Sequence, residues 1–231
     1  MLAGRTGHHH MVSSLGPGIS SGQMYAIEEN GSSLLKMPKF LMMENAGHAA
    51  AGFLIQKFSG RLQRKKVVVV CGTGNNGGDG FVVSRHLASY GVKVSVLLLG
   101  SQDNISTEES LMNWTIIQRM DESIRILSAG NKLVDTITRA DIVVDAIFGT
   151  GIKGEIAEPH ASAIDAINRS KGYTLALDIP SGLDPNSGVP KKKVCYCRRH
   201  YYFSSAKGWI AKRTQVHRSS SIGANWNPPR G

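Results

Sequence analysis

No apolar run in this chain approaches the length needed to cross a membrane, and its first residues contain no apolar signal segment. Cysteine is scarce: three residues cannot form a disulfide framework, and one lies inside an expected buried strand, so a reducing, cytoplasmic setting is expected. No Gly-Lys-Ser/Thr sequence follows any glycine-rich turn, which excludes a P-loop. Acidic residues are missing from 191–231, a segment that carries ten of the 27 Lys/Arg. The other 190 residues therefore hold seventeen charges of each sign, and the whole net charge of +10 sits in the tail. A neutral globular part argues against nucleic-acid binding by the core, and the basic tail reads as a solvated segment.

What the chain does have is length, 231 residues at 41% apolar composition, enough for one sizeable core. It also has one dense motif. Val67 to Cys71 are five consecutive apolar residues, expected to form a strand covered on both faces. The turn after it, Gly72 to Gly80, holds five glycines, two asparagines and an aspartate in nine residues, and an amphipathic helix is expected from about Asp79. Bare backbone and unpaired helix N–H groups suit a polar or anionic ligand. Gly72 to Gly77 matches G-x-G-x-x-G, but the Asn-Asn-Gly-Gly-Asp run has no place in the dinucleotide fingerprint.

Elsewhere, residues 1–19 with His8, His9 and His10 read as a flexible leader, and a helix is expected around Met24 and Ile27. Pro38 opens another helix, with Leu41, Met42, Ala46, Ala49, Ala50, Phe53 and Leu54 as its apolar stripe. Glu44 and Asn45 interrupt that stripe, and either tie down a neighbour or point into a site. Strands are expected over Lys93–Leu99, Ile124–Leu127, Asp141–Phe148 and Tyr173–Ile179, with helices over Thr107–Met120 and Lys132–Thr138. The alternation predicts an α/β fold with a parallel, doubly wound sheet.

Asp145 lies within an otherwise apolar strand, where a carboxylate is costly unless paired, protonated or bound to a cation. It is the leading functional candidate. Ligands of open α/β sheets bind beyond the carboxyl ends of the strands. Asn75 to Asp79, Asp145 to Glu155 and Asp178 to Ser181 should therefore meet at one edge.

Four segments carry a resemblance: MMENAG at 42–47, GTGNNGGDG at 72–80, VDAIFGTGIKG at 144–154 and LDIPSGLDPNSG at 177–188. Together they resemble the NAD(P)H-hydrate epimerase family, the YjeF N-terminal domain, over about residues 20–188, and imply one domain over 20–208. The resemblance implies a three-layer αβα sandwich with a Rossmann-like, mostly parallel sheet. It implies interconversion of the R and S hydrates of NADH and NADPH (NADHX and NADPHX), which carry a hydroxyl at C6 of the nicotinamide ring, so that a dehydratase can act on the S form. It also implies substrate binding by Asn75, Asn76, Gly77, Gly78, Asp79, Gly149, Thr150, Gly151, Ile152, Lys153, Gly154, Glu155 and Asp178, with Asn45 lining the pocket. A potassium ion would be held by Asn76, Asp145 and Ser181. Asp145 is the expected general acid/base and Asp178 the fallback. A homodimer would be in keeping with the family. The same domain also serves as a non-catalytic dimerising part of mRNA-decapping scaffolds, a reading that the intact Asn76, Asp145 and Asp178 disfavour.

The resemblance fades after Gly188. The family's Ala-Asp-x-Thr-Val-Thr-Phe strand is replaced by residues including Cys195, Cys197 and His200, which lack a fourth ligand at usual zinc spacing. Residues 209–231 form an atypical basic tail.

Overall fold

The computed structural model describes residues 26, 29–30, 32–130, 132–152, 154–184 and 194–195, together with the backbone of 202–203. The leader at 1–19, Met24 and Ile27 of the expected first helix, Lys153, Cys197, His200 and the tail at 209–231 lie outside these residues.

The elements in chain order are α1 (Lys39–Lys57), β1 (Val67–Cys71), α2 (Asn75–Ser89), β2 (Val94–Leu98), α3 (Glu108–Ile117), β3 (Ile124–Ser128), α4 (Leu133–Thr138), β4 (Ile142–Ala146), α5 (His160–Arg169), β5 (Tyr173–Leu177) and β6 (Tyr202–Phe203). The six strands form one sheet in the order β3-β2-β1-β4-β5-β6, and every pairing is parallel. That is the doubly wound, Rossmann-type order, with the switch point between β1 and β4.

β1 is buried at all five positions because both faces of the sheet are covered. Val67, Val69 and Cys71 pack towards α1, α2 and α3, with Leu54, Phe81, Leu87 and Trp114. Val68 and Val70 pack towards α4 and α5, with Ile137, Ile164 and Ile167. Strand alternation thus divides one apolar run between two cores, giving three layers.

Three expectations need correction. α2 begins at Asn75, four residues before Asp79, and its N-cap is Gly74 with no side-chain bond. The buried stripe of α1 is Met43, Gly47, Ala50, Ala51 and Leu54, whereas Leu41 is 40% exposed. Gly47 sets this rotation, since a Cβ there would collide with Val82 of α2. Finally, α5 was not expected from the sequence. Its buried side is mostly alanine, Ala161, Ala163 and Ala166 beside Ile164 and Ile167, which leaves a faint apolar signal.

Candidate active site

The parallel order puts the carboxyl ends of β1, β4 and β5 on one edge, and a cavity of about 720 Å³ opens there. Its size suits a small-molecule ligand. The wall includes Thr73 to Asn76 and Asp79 after β1, Ile147 to Ile152 and Glu155 to Ala157 after β4, and Asp178 after β5. Lys39, Met42 and Met43 of α1, Glu109 of α3 and His160 of α5 complete much of it.

The glycines of the β1 turn are demanded by close approach. A Cβ on Gly77 would strike the carbonyl of Gly72, so the chain can turn into α2 this tightly only without a side chain. Gly77 and Gly78 are consequently buried behind the cavity wall. Asn75 is exposed and tied to α3: its Oδ1 accepts from the Thr107 hydroxyl at 2.7 Å, which also donates within 2.8 Å of Ser110 Oγ as an alternative partner.

Asn76 differs. It is 7% exposed, lines the cavity, and neither its Oδ1 nor its Nδ2 has a hydrogen-bond partner among the described residues. A buried primary amide left unpaired costs about 1–3 kcal/mol. Such a cost is tolerated where a ligand supplies the missing partners.

Asp145 is fully buried, at 0% exposure, and is absent from the cavity wall. Ser181 holds it through a backbone N–H to Oδ2 at 2.9 Å and a hydroxyl to Oδ1 at 2.6 Å; the Ile147 N–H donates to Oδ1 at 3.3 Å. Burial pushes its carboxyl up from the ordinary carboxylate range, although the bonds from Ser181, Ile147 and Cys195 oppose this. None of the ion pairs among the described residues includes it. Ser181 Oγ also accepts from the Phe148 N–H at 2.9 Å, so one serine fastens the loop after β5 to the loop after β4.

Asp178 occupies the cavity wall itself. It follows β5 directly and adopts a positive φ of 60°, a conformation uncommon outside glycine that concentrates at functional sites. Its Oδ2 accepts from the Thr150 N–H at 2.7 Å. Gly149 packs so closely that a Cβ there would collide with the same carboxylate oxygen. The Gly149–Thr150 backbone therefore fixes where this carboxylate points.

Of the residues expected at the site, the structure brings Asn75, Asn76, Asp79, Gly149, Thr150, Gly151, Ile152, Glu155 and Asp178 to the cavity. Asp145 and Ser181 lie behind the wall, and Gly154 is exposed outside it. Asn45 is exposed and does not line the pocket, while its neighbour Glu44 pairs with Arg85 and with His86 of α2, tying two helices together. Thr73 and Phe148, also in the wall, are not among the individual site residues named from the sequence, and His160 lies outside every segment expected there. Thr73 and Phe148 sit inside motifs already singled out, so reading each motif as a continuous loop would have found them. His160 had no such signal.

The oxygens in this region suit a hard cation. Asn76 offers an unpaired amide oxygen, and Asp145 a buried carboxylate without a cationic partner among the described residues.

The YjeF-related protein N-terminus family model matches residues 39–201. The chain belongs to this family. As a YjeF N-terminal protein it is 46% identical over 198 residues to the NAD(P)H-hydrate epimerase of Nitrosopumilus maritimus, covering 86% of this chain and 90% of that protein. It is 48% identical over 170 residues to the NAD(P)H-hydrate epimerase of Cenarchaeum symbiosum, covering 74% and 76%. A bifunctional NAD(P)H-hydrate repair enzyme from Methanothermobacter thermautotrophicus is 40% identical over 169 residues, 71% of this chain but only 31% of that protein. The crystal structure of yeast ynu0 shares the fold with a TM-score of 0.69 at 21% identity, covering 80% of this chain and 88% of the yeast chain. No helix among the described residues is long and apolar enough to cross a membrane.

Proposed function

We propose that this YjeF N-terminal protein is an NAD(P)H-hydrate epimerase that equilibrates the R and S hydrates of NADH and NADPH at C6 of the nicotinamide ring. The epimerases from Nitrosopumilus maritimus and Cenarchaeum symbiosum support this reading. The single structural observation that carries it is the strained, backbone-aimed carboxylate of Asp178 in the cavity wall.

C6 bears both the hydroxyl and the ring nitrogen. A proton given to the hydroxyl lets water leave as the nitrogen lone pair forms an iminium. Water adding to the opposite face inverts the centre, and the proton it sheds returns to the carboxylate. One carboxyl able to donate and then accept performs both steps. Asp178 takes this role in preference to Asp145, because Asp178 lines the cavity and Asp145 is enclosed behind it. The Thr150 N–H orients Asp178, and Asn76 and Asp79 bind the polar part of the substrate. A potassium ion, held by Asn76, Asp145 and Ser181, would supply positive charge to the buried carboxylate and to the anionic substrate. A dehydratase consuming the S hydrate is the functional partner, an activity pairing that the name of the bifunctional archaeal relative reflects.

The test is epimerisation of purified (R)-NADHX in potassium buffer, with spontaneous interconversion subtracted. Asp178→Asn should lower kcat by about 100-fold or more while the fold is kept. Background rates in the wild-type protein would overturn the enzyme reading. Full activity in the Asp178 variant would overturn the role given to Asp178.

A further inference from the structure

Glu44, His48, Arg85 and His86 form a polar cluster on the seam between α1 and α2, outside the cavity wall. The two helices approach closely there because Gly47 has no side chain: a Cβ on it would lie 2.5 Å from Val82 Cβ. His48 follows Gly47 and His86 stands one turn beyond Val82, so the same approach brings their rings together. The ring centroids are 4.7 Å apart with planes at 73°, and the two Nδ1 atoms are separated by 3.4 Å. Glu44, one turn before His48, reaches the far side of the second ring, where His86 Nε2 donates to its Oε1 at 2.7 Å. Its other carboxylate oxygen accepts from Arg85.

This carboxylate sets the tautomer of His86. Against the effect of burial, the bonds from His86 and Arg85 hold Glu44 below the ordinary carboxylate range, so it is ionised and can only accept. Nε2 therefore carries the proton, and in the neutral ring the Nδ1 lone pair faces His48. The His48 ring is exposed, and a proton on its Nδ1 serves the contact between the two rings. Moving that proton to Nε2 through water turns a second lone pair towards the first. Two imidazole nitrogens bound to one tetrahedral zinc, each at about 2.0–2.1 Å, stand roughly 3.3–3.4 Å apart. The spacing between the rings is already that bite. A carboxylate behind a ligating imidazole is also the usual outer partner at metal sites, where it holds the ring's orientation and raises its basicity. No group of three or more His, Cys, Asp or Glu is placed to hold a metal among the described residues, so water fills the remaining positions.

We infer that His48 and His86 form an exchangeable site for a divalent transition metal, zinc above all, which clamps α1 to α2 with Glu44 as the outer partner. The metal follows from the ligands, because neutral imidazole nitrogens favour zinc, nickel and copper over magnesium and calcium. The site differs in place and in ligand chemistry from the oxygen-rich region beside the cavity, and it does not depend on the epimerase reading.

The experiment uses the full chain carrying His8→Ser, His9→Ser and His10→Ser, which removes the other run of imidazoles from the titration. Zinc chloride titrated by calorimetry should bind one ion per chain, and zinc at tenfold its Kd should raise the thermal midpoint by about 3–6 °C. His48→Ala, at an exposed position, should weaken the zinc isotherm at least about tenfold and leave the metal-free midpoint nearly unchanged. His86→Gln should weaken it as well. Zinc binding that survives in either variant, binding seen only as zinc-linked dimers in sedimentation, or an isotherm no larger than the heat of dilution would each overturn the inference. Should His86→Gln fail to melt cooperatively, nitrogen NMR of the histidine-labelled parent decides in its place. Ligation of both rings through Nδ1 is the expected result; ligation of one ring alone, or through Nε2, overturns the site.

Discussion

Gly149 is where one hydrogen atom decides the site. Gly149→Ala should push the Asp178 carboxylate off its Thr150 N–H bond, lowering kcat at least about tenfold while shifting the thermal midpoint little, because the cavity wall and not the core is disturbed. Steady-state rates beside a melting curve check this. Glu44 tests a different residue-scale balance. Burial alone would raise its pKa, but the bonds from His86 and Arg85 overcome that and leave it lowered. A carboxyl whose folded pKa is depressed contributes stability above its unfolded value and loses it as the pH falls through the folded one. Glu44→Gln should therefore cost about 1–2 kcal/mol at pH 7 and progressively less below pH ~4, read from urea unfolding at the two pH values. At this scale the sequence disclosed the anomalous residues well. Asp145 stood out because a carboxylate interrupts an apolar strand, and Asp178 because it ends one. Which of the two faces the ligand was not legible, since it depends on how the loops after β4 and β5 fold over each other through Ser181. Asn45 was legible only as a polar interruption of α1, and the direction it faces depends on the helix rotation that Gly47 sets.

Among the elements, β1 could be read to the residue because its burial on both faces leaves an uninterrupted apolar run. The start of α2 could not. Asparagine and glycine are poor helix formers, so Asn75 to Gly78 read as turn, yet tertiary packing against Gly72 and the α3 contacts made through Thr107 impose the helix there. The helix also passes the sheet at Gly80, where an added Cβ would come within 2.7 Å of Ala146 Cβ and of Cys71 Sγ. Gly80→Ala should force α2 away from β1 and β4 and destabilise the protein by about 1–3 kcal/mol, despite alanine's better helix propensity, measurable by urea unfolding. A stability equal to or above wild type would mean the layers can separate without cost.

For the molecule as a whole, the topology followed from alternation, and the meeting of three loops at one edge followed from the topology. The cation proposal belongs to this scale, because its ligands come from the segments after β1, within β4 and after β5. A ligand that binds only the folded state raises the melting temperature with its concentration. Potassium should do so relative to tetramethylammonium at equal ionic strength, and Asn76→Leu, which also removes the unpaired amide, should abolish the dependence. Equal midpoints in the two salts would count against a potassium site.

The two margins of the sheet are guarded unequally. β3 places the exposed Arg125 on its outer strand, a charge that discourages another chain from adding there. β5 carries no comparable guard at Ala176 and Leu177, and depends instead on being capped by β6, a strand of two residues. Among the described residues, cover for that margin therefore rests on this short segment. A chain cut before Tyr202 should keep much of its core yet self-associate with concentration, through the bare margin of β5.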